Sequence, residues 1–167
     1  MTEIWKPIDE YDNYSVSNLG NVRNDNTGMS LKAGVTRNGY LQFHLSKNGE
    51  CIKHYIHRLV AKAFIPNPEN KPFVDHVFNN VTDNRVEKLR WCTKEENQRN
   101  QQLSSRNTSG IKGVSWYKRN QKWCASIKHN GKRIHLGYFK TIEEARDVRQ
   151  VKARELFGEF VYNGESI

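Results

Sequence analysis

The sequence predicts an α+β chain: a β-loop-β-α unit, then a three-stranded antiparallel sheet packed on one helix. Period-two runs of apolar residues joined by Asn-Gly turns mark the strands. Leu41, Phe43 and Leu45 share one face ahead of Asn48-Gly49, and Lys122–His129 and Lys132–Phe139 alternate on either side of Asn130-Gly131. Two Thr-x-x-Glu capping boxes, Thr93–Glu96 and Thr141–Glu144, open the second and third helices.

Residues 1–50 read as a β module, with Tyr14–Ser17 and Gly39–Leu45 as strands and Cys51–Ile56 as the return strand beyond the Asn48-Gly49 turn. Residues 51–102 carry a short helix over His57–Ile65, with Leu59, Val60, Ala63 and Phe64 on one side. Pro66, Pro68 and Pro72 then exclude regular structure. Phe73–His76 forms a strand, Asn79–Asn84 a polar loop, Leu89–Cys92 a second strand, and a helix starts near Lys94. Residues 103–110 contain no strong apolar anchor after Leu103 and are expected to be a linker. Residues 111–167 give the sheet and a helix from Ile142 to about Phe157, stopped by Gly158. Its expected core side is Ile142, Ala145, Val148, Ala153 and Leu156. On the sheet, Trp123, Ala125, Ile127, Ile134, Leu136 and Tyr138 face inward, and Ser126, Lys128, Arg133 and His135 outward.

Among 167 residues, 36% are apolar, which favours small sub-domains over one large core. No apolar run is long enough to cross a membrane, and residues 1–7 carry no signal core, so a cytoplasmic location is expected, in the host cell if the gene is a phage's. Cys51, Cys92 and Cys124 form no Cys-x-x-Cys pair, so they are expected as incidental thiols. The net charge of +9 is uneven. Residues 104–167 hold thirteen cationic and six acidic side chains, and no acid occurs between Leu103 and Ile142. A one-sign stretch that also carries Trp and Tyr points to a polyanion surface.

Asp75-His76 at a strand end is the pair best suited to chemistry. Hydrolysing a phosphodiester requires charge neutralisation and a base for water. Asp75 offers a hard oxygen for a divalent cation, Asn97 a neutral carbonyl oxygen, and the His76 imidazole titrates near neutrality. A surface Asp-His or a turn cap is the other reading of such a dipeptide. His54 and His57, three apart, lack the Cys or Glu partners of a metal site.

The ordered anchors His57–Ala61, Val74–His76, Asn80–Asn84, Leu89–Thr93 and Glu96-Asn97 resemble the HNH endonucleases of phages and mobile introns. Ile4–Ile8, Tyr14–Arg23 and Leu31-Lys32 resemble the nuclease-associated modular motif that precedes such domains. The resemblance implies a ββα-metal unit. In it His76 is the general base, and Asp75 with Asn97 holds Mg²⁺ or a similar ion such as Mn²⁺. Two departures bear on loop geometry. Phe78-Asn79 stand where Asp-Gly is common, and Lys88 stands where an Asn steadies the loop; a lysine donates hydrogen bonds but accepts none.

Residues Ser109–Val114, Lys122–Ile127, Gly131–Phe139 and Thr141–Ala145 resemble the plant ethylene-response-factor type of DNA-binding domain. That family lays its sheet in the major groove. The resemblance implies contacts from Ser115, Trp116, Lys118, Arg119, Ser126, Lys128, Arg133 and His135, with Arg133 suited to guanine. Lys112, Lys118, Lys122 and Lys132 are suited to phosphates. Plant members carry Glu and Trp where Ser126 and His135 stand.

The expected protein is thus a metal-dependent DNA endonuclease, of homing or phage type, acting on double-stranded DNA as monomer or homodimer. No small-molecule substrate and no membrane is expected. The alternatives are a catalytically idle DNA-binding protein that keeps the nuclease fold, and an RNA binder. The sheet as read lacks the aromatic pair typical of single-strand readers.

Overall fold

The computed structural model describes residues 2–101 and 103–161; the expected C-terminal module's residues 162–167 lie outside them. The chain divides into two compact units, Met1–Asn97 and Gln98–Ile167.

The first unit begins with β1 (Trp5–Ile8), β2 (Tyr11–Ser17) and β3 (Val22–Asn24), an antiparallel sheet in that order. The short β4 (Gly34–Val35), β5 (Leu41–Lys47) and β6 (Glu50–Tyr55) form a second sheet. Asn48 and Gly49 both adopt positive φ, as the hairpin turn requires. Phe43 and Leu45 are buried while His44 is exposed, so the alternation read from sequence sets the face. Then α1 (Ile56–Phe64) starts one residue earlier than expected. It buries Ile56, Leu59, Val60 and Ala61 against both sheets. Each of its larger buried aliphatic side chains contributes roughly 1.5–3 kcal/mol. Next, β7 (Phe73–His76) pairs with β8 (Leu89–Cys92), and a 3-10 turn at Val86–Lys88 leads into the second of these strands. Last, α2 (Lys94–Asn100) carries its expected capping box: Glu96 N donates to Thr93 Oγ1 (3.2 Å), and Thr93 N donates to Glu96 Oε2 (2.7 Å).

The segments before and after residue 50 share one unit: the β5–β6 hairpin pairs across it and one core runs from Ile8 to Leu89. The unit boundary falls inside α2, and residues 103–110 are an ordered loop rather than a linker. Within that loop Asn107 Nδ2 donates to Ile111 O (2.8 Å) and Ser109 Oγ to Val114 O (2.7 Å). Short polar side chains that bond their own neighbourhood fix a loop without apolar anchors.

The second unit holds β9 (Val114–Tyr117), β10 (Lys122–His129) and β11 (Lys132–Phe139), in the sheet order β11-β10-β9, and α3 (Ile142–Phe157). The Thr141–Glu144 capping box is present at the start of α3. A bulge between Ala125 and Ser126 skips Leu136 in the ladder: Ala125 pairs with Gly137, and Ser126 with His135. The extra residue reverses the later alternation. Phe139, opposite Trp123, packs on the core, and Tyr138, opposite Cys124, lies on the other face and is exposed. On α3 Ala145 and Ala153 are buried and Ile142 packs on the core, as expected, but Val148 is exposed and Arg149 is buried instead.

Candidate active site

The β7–β8 ladder puts Asp75 opposite Arg90 and His76 opposite Leu89. Asp75 is buried, and two guanidinium N–H groups of Arg90 converge on its Oδ2, from Nη2 at 2.8 Å and Nε at 3.0 Å. A buried carboxylate needs such compensation, and a cross-strand pair supplies it without ordering a further loop.

His76 is also buried, and its Nε2 lies 3.2 Å from Asn84 Oδ1. The amide orientation of Asn84 is set by its own donation from Nδ2 to Thr82 O (3.1 Å). Oδ1 is therefore the acceptor, Nε2 of His76 carries the hydrogen, and Nδ1 is the nitrogen with the basic lone pair. Burial holds the His76 pKa below its ordinary value, against the opposing pull of Asn84 and of Asp75 and Asp83. That shift favours the neutral ring, the form able to accept a proton.

Asn84, itself buried, is a site residue that the sequence reading passed over as part of a polar loop. The N-terminal sheet backs it. Val86 N donates to Asn18 O (2.9 Å), and Gly20, at φ 88°, is so close that a Cβ there would sit 3.0 Å from Asn84 Cβ. The Asn18–Asn21 turn thus wedges the asparagine that orients His76. A glycine in the Asn18–Asn21 turn is the trace this leaves in the sequence.

A second histidine completes the site. The His57 ring, at the start of α1, lies 5.1 Å from that of His76, with Tyr40 and Tyr55 at 5.3 and 5.5 Å. Among the described residues its buried Nδ1 has no hydrogen-bond partner. Burial first, then the repulsion a protonated His76 would exert and the charge of Arg58, pushes the His57 pKa down to about 3. His57 lines a cavity of about 610 Å³ with Arg37, Lys53, Arg58, Lys62, Tyr40, Tyr55 and Asn97. Four of the cavity's lining residues are Lys or Arg and none is acidic, which suits a phosphate-bearing ligand.

Asn97, half-buried on α2, lines this cavity; Asp75 and His76 are not among its lining residues, and the His57 ring that lines it neighbours that of His76. Among the described residues no three His, Cys, Asp or Glu side chains gather as a metal cluster. By donor type the Asp75 carboxylate and the Asn97 amide are the oxygens a hard ion such as Mg²⁺ takes, but only Asn97 lines the cavity, and the Asp75 carboxylate is held by Arg90.

The two departures noted in the sequence meet each other. Exposed Phe78 lies under Lys88, whose Nζ is 5.0 Å from the ring centroid. Val77 N donates to Lys88 O (2.9 Å), which continues the ladder past His76. Of the expected DNA contacts, Ser115, Lys118, Arg119, Lys122, Lys128, Lys132, Arg133 and His135 are exposed, and Ser126 is half-buried. Lys112 is engaged otherwise: its Nζ donates to Arg99 O (2.8 Å) and Gln101 O (2.9 Å), closing the end of α2. Trp116 pairs with Trp123 and meets its ring edge to face, with centroids 5.2 Å apart, on the sheet side that carries α3, although it is half-exposed. The cysteines are free thiols, and burial pushes Cys92 up to about 12.

The family description "NUMOD4 motif" matches residues 3–46, and "HNH endonuclease" matches residues 54–99. An uncharacterised HNH endonuclease of Acanthamoeba polyphaga mimivirus is 45% identical over 101 residues, 58% of this chain and 25% of the relative. DNA endonuclease I-HmuI of Bacillus phage SP01 is 38% identical over 98 residues, 58% of this chain and 56% of that protein. Protein 3.8 of Escherichia phage T7 is 31% identical over 94 residues, 53% of this chain and 72% of that protein. The chain thus spans a quarter of the mimivirus relative and about half of I-HmuI. A solved structure described as DNA binding and cleavage by the HNH homing endonuclease I-HmuI superposes with a TM-score of 0.57 at 28% identity, covering 90% of this chain and 88% of that one.

Proposed function

We propose that this chain, which matches the HNH endonuclease description over residues 54–99, is a metal-dependent DNA endonuclease of homing or phage type. One observation carries the reading: a neutral His76 with its tautomer fixed by Asn84, one ring behind a cavity lined by four cations.

In this reading Arg37, Lys53, Arg58 and Lys62 draw the DNA backbone to the cavity. His76 accepts a proton from water at Nδ1 while Nε2 stays bonded to Asn84, so the ring does not turn as it charges. The imidazolium is offset by Asp75 next to it in the chain. His57, too weak a base to hold a proton at neutral pH, stays uncharged beside it. Asp75 and Asn97 would hold the divalent cation, with Arg90 fixing the Asp75 carboxylate. Mg²⁺ or Mn²⁺, when bound, neutralises charge developing on the phosphate. The second unit holds DNA through the open face of its sheet, with Lys128 and Arg133 paired on that face and Lys122 toward β9.

The burial of Asp75 against Arg90 favours a second reading, an idle DNA-binding relative in which that carboxylate is structural. Supercoiled plasmid or phage DNA incubated with Mg²⁺, with Mn²⁺ and with EDTA separates the two. Metal-dependent nicking or cutting is expected, with a loss on the order of 10²–10⁴ in rate for His76→Ala at unchanged DNA affinity. No cleavage with either metal, despite tight duplex binding, makes the protein the idle relative.

A further inference from the structure

The bulge in β11 builds an aromatic cluster that the sequence alternation hides. Tyr138 lies on the open face of the second unit's sheet with its ring centroid 5.2 Å from Tyr117 and 4.7 Å from His135. Tyr117 and Tyr138 are 37% and 42% exposed, so their rings are offered to solvent rather than consumed in the core. The same face carries Lys122 opposite Tyr117 and Lys128 opposite Arg133. No acidic residue occurs on any of the three strands.

Resting on the reading that this face meets DNA, we infer that it binds DNA with unpaired bases, stacking them on the Tyr117–Tyr138–His135 cluster, in preference to intact duplex. The physical ground is what each form of DNA presents. A duplex offers base edges in its grooves and keeps base faces stacked on one another, so a tyrosine hydroxyl can reach a phosphate there but the face of its ring has no base to stack on. An unpaired strand exposes base faces, which stack on aromatic rings irrespective of sequence, while flanking cations follow the phosphates. This face has both elements on one surface. A partner recognised by charge alone would not account for the rings, and an apolar partner would not account for the cations.

The test is fluorescence anisotropy with the full chain in EDTA, so that nothing is cut. Three labelled DNAs of equal length are compared: intact duplex, the same duplex with a short gap of unpaired bases, and the single strand. The gapped and single-stranded DNAs are expected to bind about ten-fold more tightly than the duplex. Tyr138→Thr should remove that preference and leave duplex affinity within about two-fold, while Tyr138→Phe retains it. Arg133→Ala should weaken all three and lower the salt dependence of each. As a readout independent of any variant, 2-aminopurine placed in the gap should be quenched on binding to the wild-type chain. Equal or tighter binding to intact duplex, or an unquenched 2-aminopurine, overturns the inference and leaves the DNA-binding reading standing. If none of the DNAs binds through this face, so that Arg133→Ala changes nothing, the DNA-binding reading of the unit fails and the inference with it.

Discussion

The β7–β8 strand pair and the open sheet of the second unit are both polar, but they treat water in opposite ways. Asp75, His76 and Asn84 are each buried, and each has a named partner: Arg90 for Asp75, and one another for His76 and Asn84. On the open sheet Lys122, Lys128, Arg133 and His135 are exposed. The difference fits the two tasks proposed for them. A proton acceptor needs one tautomer and one orientation, which burial with matched partners provides. A surface that holds a polyanion needs charges that keep their counterions until the ligand arrives, which exposure provides. Substitutions in the strand pair should therefore be costly to stability, and those on the sheet should act on binding alone.

The sharpest test of that contrast is Arg90→Met. It leaves the Asp75 carboxylate buried without its guanidinium, and a loss of about 3–5 kcal/mol is expected in urea unfolding. Arg133→Met on the exposed sheet should stay within about 0.5 kcal/mol. Equal effects at the two arginines would abolish the distinction.

Acid comes next in size. Unfolded, His57 takes up a proton near its ordinary value of 6.5; folded, it resists protonation down to about 3. Between those values the unfolded chain binds more protons, so His57 contributes stability that is complete above pH 6.5 and is lost as pH falls toward 3. The lowered pKa of His76 acts in the same direction. A fall on the order of a few kcal/mol is expected between pH 6 and pH 4, and His57→Gln should flatten it. A wild-type profile that is flat over this range would contradict the buried-histidine account.

Much of the fold was legible because local rules wrote it. The Asn48-Gly49 and Asn130-Gly131 turns, the two Thr-x-x-Glu caps and the Leu41–Leu45 alternation each depend on neighbouring residues only, and each appears where it was read. What escaped depends on residues far apart. The bulge at Leu136 is a property of the pairing with β10, so Tyr138 and Phe139 exchanged faces. Asn84 gained its role from contacts made by Asn18 and Gly20, more than sixty residues earlier. Arg149 is buried where Val148 was expected, because the small Ala145 and Ala153, and not the larger apolar residue, set the face of α3 that meets the sheet.

That long-range contact makes its own prediction, smaller than the first two. Asn84→Ala removes the acceptor that holds His76 Nε2, and a loss of about 1–3 kcal/mol in stability is expected. Cleavage should fall further than stability alone explains, because the ring is no longer held in one tautomer. Gly20→Ala should reproduce part of both effects without touching either residue, since its φ of 88° and the 3.0 Å approach to Asn84 leave no room for a methyl group. A Gly20→Ala protein with wild-type stability and cleavage would show that the turn does not buttress the base.

The smallest effect tests whether Phe78 and Lys88 act as a pair. Lys88 stands where the family's loop-steadying Asn is expected, and its cation over the exposed Phe78 ring is worth roughly 0.5–1 kcal/mol at a solvated site. A double-mutant cycle with Phe78→Leu and Lys88→Met, read by urea unfolding, should return a coupling energy in that range, and each single variant should cost about as much as the double. A coupling of zero would mean that the ring and the cation are merely adjacent. The loop after His76 would then be held by its backbone alone, through the Val77 N–H on Lys88 O and the Asn79 N–H on His76 O.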